Sequence, residues 1–179
     1  MSDDVPNSEA NAKVVTQIDQ PQIDAGLFRT VLGHFCSGIT IITAVDDGQP
    51  VGLTCQSFSS CSLDPPLVTF LPAKSSSSWP RIRSAGSFCI NILAADQEAL
   101  CRGFAMKGAD KFEGVGYHTE VTGSPVLDGA LAWIDCVLYT VHDGGDHDIV
   151  LGLVQRMAVA REGVLPLMFF RGGYGSFAV

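Results

Sequence analysis

The spacing of hydrophobic positions changes along the chain, and each change marks an element. Leu27, Phe28, Val31, Leu32 and Phe35 recur at helical spacing behind Asp24, whose short carboxylate suits an N-cap, and Gly33 followed by Ser37-Gly38 closes the segment. GITIITAV, residues 38–45, is rich in β-branched residues and predicts a strand. Asp46-Asp47-Gly48-Gln49 supplies a turn and residues 50–55 resume extended structure, so the two segments read as a hairpin. SFSSCSLDPP, residues 57–66, is too polar and proline-rich for a central strand and is expected to be a loop. LVTFLP then predicts a buried strand, and SSSSWPRIRSAG a serine run leading into a short helix that Gly86 ends. SFCINIL predicts another strand, and residues 96–107 a helix with Ala99, Leu100, Gly103 and Phe104 on one face. After a loop-rich stretch at 108–129, ALAWIDCVLYTV and HDIVLGLVQRMAV form two long strands joined by the turn HDGGD. PLMFF is the last strand before RGGYG.

About seven strands and two or three short helices follow from this pattern, with strands succeeding one another through turns more often than through crossover helices. That order predicts a mainly β protein, an antiparallel barrel or sandwich, and excludes an alternating α/β fold. A chain of 179 residues makes one domain with a sizeable core, and 46% hydrophobic against 17% charged residues excludes disorder for its bulk. Residues 1–23 lack periodicity and are expected to be a flexible acidic tail ahead of a domain at 24–179. Five acids and one base within residues 1–24 account for half of the net charge of −8. That charge repels polyanions, so nucleic acid is not an expected partner. No apolar run reaches the length of a bilayer span and the N-terminus lacks a basic and then apolar leader, so the expected location is cytoplasmic, away from the membrane. The six cysteines include no CxxC pair and are expected to be reduced and mostly buried as small hydrophobes.

The chemistry narrows by exclusion first. No GxGxxG joins a strand to a helix, and no Walker A, HExxH or GxSxG occurs. Three stretches remain. Lys74-Ser75-Ser76-Ser77-Ser78-Trp79, between a strand and a helix, offers N–H groups, hydroxyls and an ammonium that suit a phosphate, or forms a solvated, N-capped loop. Gly52-Leu53-Thr54-Cys55-Gln56-Ser57-Phe58 is a strand running out into small polar residues, able to face a planar hydrogen-bonding ring or simply ending a strand. His142-Asp143-Gly144-Gly145-Asp146-His147-Asp148 carries two histidines and three carboxylates, but its Gly-Gly centre is that of a hairpin turn. No metal is expected there, and His147 aimed into a pocket is the reading preferred.

FRTVLGHFCSGITIIT, PVGLTCQSFSSCSLDPPLVTF, AKSSSSW, SFCINIL, DKF, GDH and PLMFFRGGY together resemble the flavin reductase family, over roughly residues 25–176. The resemblance implies an antiparallel Greek-key split barrel of the FMN-binding type. It implies hydride transfer from NADH to FMN or FAD, with the reduced flavin supplied to a partner monooxygenase, and a homodimer. By the same likeness Thr54, Cys55, Gln56 and Ser57 hold the flavin ring and ribityl chain, with Ser62 and Leu63 against it. Lys74, Ser75, Ser76, Ser77 and Ser78 take the flavin phosphate, Asn91 is a polar neighbour of the flavin, and Phe104 with Asp110-Lys111-Phe112 lines the pocket edge. Ser37, Gly38, His147 and Tyr174 fall beside the nicotinamide nucleotide. His147 would position the nicotinamide, since hydride transfer needs no protein acid or base. Alternatives are a flavin-binding oxidase of the same fold acting directly on a substrate, and a non-enzymatic small-ligand β-barrel.

Overall fold

A computed structural model of the chain describes residues 22–108 and 110–177, so all but the end of the expected acidic tail lies outside the described residues. The first helix, α1 (Ala25–Leu32), begins where the pattern placed it. Asp24 accepts the Leu27 N–H at 2.8 Å, and the Gly33 N–H closes the other end on Arg29 O.

The strands that follow are β1 (Ser37–Gly38), β2 (Thr40–Asp46), β3 (Gln49–Cys55), β4 (Ser59–Leu63) and β5 (Pro66–Phe70). Helix α2 (Trp79–Ala85) leads to β6 (Ser87–Ile92), and a 3-10 turn (Ala95–Gln97) opens α3 (Glu98–Ala105). Then come β7 (Tyr117–Thr119), β8 (Pro125–Leu127), the long pair β9 (Ala132–Gly144) and β10 (His147–Val159), β11 (Met168–Phe170) and β12 (Gly173–Gly175). Seven strands form the main sheet in the order β3-β2-β6-β9-β10-β5-β4, beside smaller sheets β1-β11-β12 and β7-β8. Every pairing is antiparallel, and neighbours distant in sequence, such as β2 with β6 and β10 with β5, give the sheet its Greek-key order.

Two expectations are corrected. Residues 59–63 are not loop but an edge strand, paired with β5 from Ser59–Thr69 to Leu63–Pro66. An edge strand with both faces near solvent needs no apolar residues, and the prolines fall in the turn and at the start of β5, where they cost no ladder bond. The helix expected over 96–107 is shorter, because the 3-10 turn takes its first residues. The cysteines divide: Cys55, Cys89, Cys101 and Cys136 are buried and free, whereas Cys36 and Cys61 are free and exposed.

Strand β2 has a core on each face, which is why it is buried continuously from Thr40 to Ala44 rather than at alternate positions. Ile42 and Ala44 join a cluster with Phe70, Trp79, Ile82 and Phe88. Ile39, just before β2, and Ile41 join a second cluster with Leu93, Cys101, Phe104, Leu127 and Leu167. In the first cluster Phe70 meets both Trp79 and Phe88 edge-on, at 5.8 and 5.1 Å between ring centres. Phe88 fits because β10 has Gly152 over it. A Cβ at Gly152 would come within 2.5 Å of Phe88 Cζ and 3.2 Å of Cys136 Cβ, and neither neighbour has room to retreat. Gly152→Ala is therefore expected to lower stability by about 1–3 kcal/mol, the range for overpacking a closed core. Urea unfolding of the two proteins measures it, and an unchanged midpoint would show that the sheet yields at this point.

Candidate functional site

The end of β3, the chain leaving β5 and the β9–β10 turn enclose a cavity of about 510 Å³. Leu53 to Ser57 form one wall, and Leu71, Pro72, Ala73, Ser76 and His147 another. Ala105, Phe169 and Tyr174 complete it.

The first wall is held by side-chain hydrogen bonds to neighbouring elements. The Ser57 hydroxyl donates to Leu71 O at 3.0 Å and accepts the Leu71 N–H at 3.1 Å, so it clips the end of β3 to the end of β5. Cys55 Sγ lies 3.2 Å from the same hydroxyl, and burial pushes its thiol pKa up, which keeps it neutral. Thr54 Oγ1 donates to Cys101 O at 2.8 Å and so ties β3 to α3.

The second wall is a short backbone ladder. Lys74 N–H donates to Asp146 O at 2.9 Å and Asp148 N–H to Pro72 O at 3.0 Å, with Ala73 facing His147 between them. Two side-chain ties reinforce it. The Trp79 indole N–H donates to the buried Asp148 carboxylate at 2.7 Å. Lys74 Nζ donates to the Asp143 carboxylate and, at 2.6 Å, to Gly145 O. The Lys74 bond holds the Asp143 carboxyl below its usual range and raises the pKa of the ammonium. Lys74 is thus spent on the turn.

Within the serine run the roles separate. Ser76 Oγ accepts the N–H groups of Ser78 and Trp79, each at 3.3 Å, which leaves its own proton to donate into the cavity. Ser75 and Ser77 are exposed, and Ser78 is buried, turned away toward Lys111. His147 Nδ1 lies 2.7 Å from Asp146 Oδ1, and since a carboxylate can only accept, Nδ1 carries the proton and Nε2 is left free. The same bond holds the Asp146 carboxyl below its usual range. Tyr174 accepts from Cys101 Sγ at 3.6 Å and stands edge-on to Phe169, with the Arg102 guanidinium 4.4 Å from its ring centre. The Cys101 bond, with burial, raises its phenol pKa.

Thr54, Cys55, Gln56, Ser57, Ser76, His147 and Tyr174 are therefore brought together on one cavity. Other candidates are not. Ser37 and Gly38 pair with Phe169 and Met168, backing the strand that supplies Phe169 without reaching the cavity. Ser62 and Leu63 lie at the far β4–β5 turn, where Leu63 is 97% exposed. Phe104 is sealed in the second core beneath β3, over Gly52, whose Cβ would come within 2.6 Å of its ring. Asn91 is fully buried. Its amide N–H groups donate to Ile41 O at 3.2 Å and Thr43 Oγ1 at 3.1 Å, and its oxygen accepts from Leu127 N at 2.8 Å. These bonds lock β6 to β2 and β8, so Asn91 is a core residue in this chain. Sequence reasoning missed Leu71, Ala73, Ala105 and Phe169, whose only signal is that they flank candidates already noted. Among the described residues no group of three or more His, Cys, Asp or Glu side chains could hold a metal ion.

Comparison with known proteins adds what geometry alone does not. A family model described as a flavin reductase like domain matches residues 32–178. The chain belongs to this family. Its relatives include the HsaB reductase subunit of a flavin-dependent monooxygenase from Rhodococcus jostii, 52% identical over 152 residues, which are 85% of this chain and 77% of that one. The crystal structure of nitrilotriacetate monooxygenase component B from Mycobacterium thermoresistibile is 48% identical and covers 86% of each chain, with a TM-score of 0.83. The NADH:FAD oxidoreductase SgcE6 of Streptomyces globisporus, solved with NAD and FAD fragments, is 34% identical over 87% of this chain and 93% of that one, with a TM-score of 0.81. The split barrel expected from the resemblance is the fold this reductase adopts.

The Asn91 bonds give a test that separates a core role from a ligand role. Asn91→Ala strands the Leu127 N–H and is expected to cost about 1–3 kcal/mol in urea unfolding. Flavin affinity of the folded variant stays within twofold of the parent, and a larger loss of affinity at unchanged stability would return Asn91 to the site.

Proposed function

We propose that this cavity is where FMN or FAD meets NADH, and that the chain works as the reductase component of a two-component monooxygenase. The chain is an NADH-dependent flavin reductase with FMN or FAD as acceptor. When bound, the flavin supplies the ring that accepts the hydride of NADH. The cavity suits such a group. Its volume lies in the range of small-ligand sites, Leu53, Leu71, Pro72, Ala105 and Phe169 offer apolar surface to ring faces, and Thr54, Gln56 and Ser57 offer polar groups to a ring edge. Ser76 holds a hydroxyl proton ready for a phosphate oxygen.

The observation that carries the reading is the placing of His147 and Ser76 on one wall, across from Thr54 to Ser57, by the ladder between residues 72–74 and 146–148. His147 binds and orients. Its Nδ1 proton is held by Asp146, so Nε2 is the atom left to accept a hydrogen bond from a carboxamide, and no proton need move at His147 during hydride transfer. Gln56 is exposed and His147 partly so, which suits a flavin that exchanges with solvent and carries its electrons to a separate oxygenase. The likeness to a monooxygenase reductase subunit supports that partner. The free cysteines fit the reducing conditions of a cytoplasmic location.

The reading is tested by NADH oxidation with FMN and with FAD, followed by the loss of NADH absorbance. Activity with neither flavin would end it. His147→Ala is expected to raise KM for NADH about tenfold, the effect of a contact worth about 1.4 kcal/mol. His142→Ala, exposed at the other end of the same turn, is the control that changes little. An equal defect in both would mark the turn as structural.

The homodimer implied by the family likeness has a candidate face in α1. None of its residues is buried, and Leu27, Phe28, Val31 and Leu32 are each more than half exposed, with Phe35 beyond them at 82%. So many apolar groups on a two-turn helix suit a self-complementary contact between two copies, in which each α1 covers its mate. Light scattering is expected to give twice the chain mass of 19.0 kDa at micromolar concentration, and Phe28→Glu with Leu32→Glu to shift it toward one chain. A monomer before substitution would remove the dimer.

A further inference from the structure

Tyr174 lines the cavity of the site and also a second hollow of about 570 Å³, which it shares with Cys36, Met168, Phe170 and Phe177. Cys36 and Phe177 are exposed, so this hollow is on the surface and Tyr174 stands between solvent and the site. The backbone that carries it is slight. Strand β12 is three residues long, lies at the edge of its small sheet, and has a glycine on either side of Tyr174. Pairing with β11 fixes the course of the strand and leaves the ring to turn about its own side-chain bonds.

Helix α3 supplies the hold that the strand does not. Cys101 is buried, and burial raises its thiol pKa, so the thiol keeps its proton and donates it to Tyr174 Oη at 3.6 Å. The phenol's own proton stays free to be given. The next residue, Arg102, sets its guanidinium 4.4 Å from the ring centre, and Glu98, one turn earlier, holds that guanidinium at 2.8 Å. Phe169 meets the ring edge-on, with 5.2 Å between ring centres. The Cys101 carbonyl also accepts from Thr54 at 2.8 Å. One residue of α3 is thus tied to the β3 wall through its backbone and to Tyr174 through its side chain.

We propose that Cys101 and Arg102 are positioning residues for NADH: they hold the Tyr174 ring at the solvent side of the cavity in the orientation that receives the dinucleotide, and so set KM for NADH without touching either ligand. The inference rests on the flavin reading of the cavity. Thr54, Gln56, Ser57 and Ser76 supply the polar groups read as facing the flavin, and Tyr174 is left for the ligand that enters after it. A ring already held costs that ligand no ordering on arrival, whereas a ring free to turn must be fixed at each encounter. Arg102 itself is exposed and its charge is engaged by Glu98, which leaves the stack on Tyr174 as its contact with the site.

The experiment is a double-mutant cycle on steady-state NADH oxidation, with flavin affinity read separately by fluorescence quenching without NADH. Arg102→Met keeps an unbranched stem and removes the cation. It is expected to raise KM for NADH about threefold, the size of an exposed cation–π contact, with kcat and flavin affinity within twofold of the parent. Arg102→Lys restores most of the loss. Tyr174→Leu raises KM on its own, and Arg102→Met added to it changes nothing further. Cys101→Ala keeps the carbonyl that Thr54 meets and is expected to act in the same direction as Arg102→Met; should it fail to fold by circular dichroism, the Arg102 cycle decides. Lys107→Met, an exposed cation just beyond α3, is the control for net charge and leaves KM in place. The same threefold loss in the Tyr174→Leu background would mean that Arg102 meets the dinucleotide itself. That result, an unchanged KM in Arg102→Met, or an equal loss in Lys107→Met overturns the inference while leaving the flavin site intact. A parent that binds flavin and oxidises no NADH, or binds no flavin at all, overturns both.

Discussion

The bond from the Trp79 indole to the Asp148 carboxylate is the tie on which the site depends. Asp148 is 8% exposed, and a carboxylate so placed persists only where donors meet it. Trp79 supplies one at 2.7 Å, and Lys74 and Arg83 bring positive charge to 3.9 Å. Lys74 lies in the serine run, and Trp79 and Arg83 lie in the first and last turns of α2. Asp148 itself begins the long strand whose preceding residue is His147. A single buried charge thus fixes a loop, a helix and a hairpin turn relative to one another. Removing it would leave the Trp79 N–H unpaired in the first core cluster.

Strand β3 is the second constraint, because both faces of it are in use. Beneath it Phe104 presses on Gly52, where only a hydrogen leaves room. Its end from Leu53 to Cys55 lines the cavity. The second core therefore sets the height of the floor on which any ligand rests, and α3, held to β3 by Thr54 and Cys101, sets its tilt. Residues that never touch a ligand govern the site through this strand.

Much of this was legible in the sequence, for reasons that also explain what was not. The short β7 and β8 lay unnoticed in the loop-rich stretch 108–129, whereas strands β2, β3, β5, β6, β9 and β10 announced themselves by their apolar runs and α1 by its N-cap and spacing. Strand β4 did not, since hydrogen bonding along a sheet edge leaves no trace in hydrophobicity. Asn91 and Phe104 show the limit for side chains: a polar residue in an apolar strand and an aromatic on a helix are the same letters whether they face a ligand or a core. Lys74 and Lys111 differ for the same reason. Nothing local in AKSSSSW or DKF tells that the first lysine meets a carboxylate about 70 residues away and the second meets the neutral oxygens of Gly52 and Ser78.

The reach of the Trp79–Asp148 bond across 69 residues also bears on how the chain comes to be made. A ribosome releases β3 and the serine run long before β10, and until residue 148 emerges one wall of the cavity has nothing to lean on. The growing chain has no place to seat a flavin during most of its synthesis. Nucleotide present in the cell cannot template the early strands, and it can hold only what has already closed.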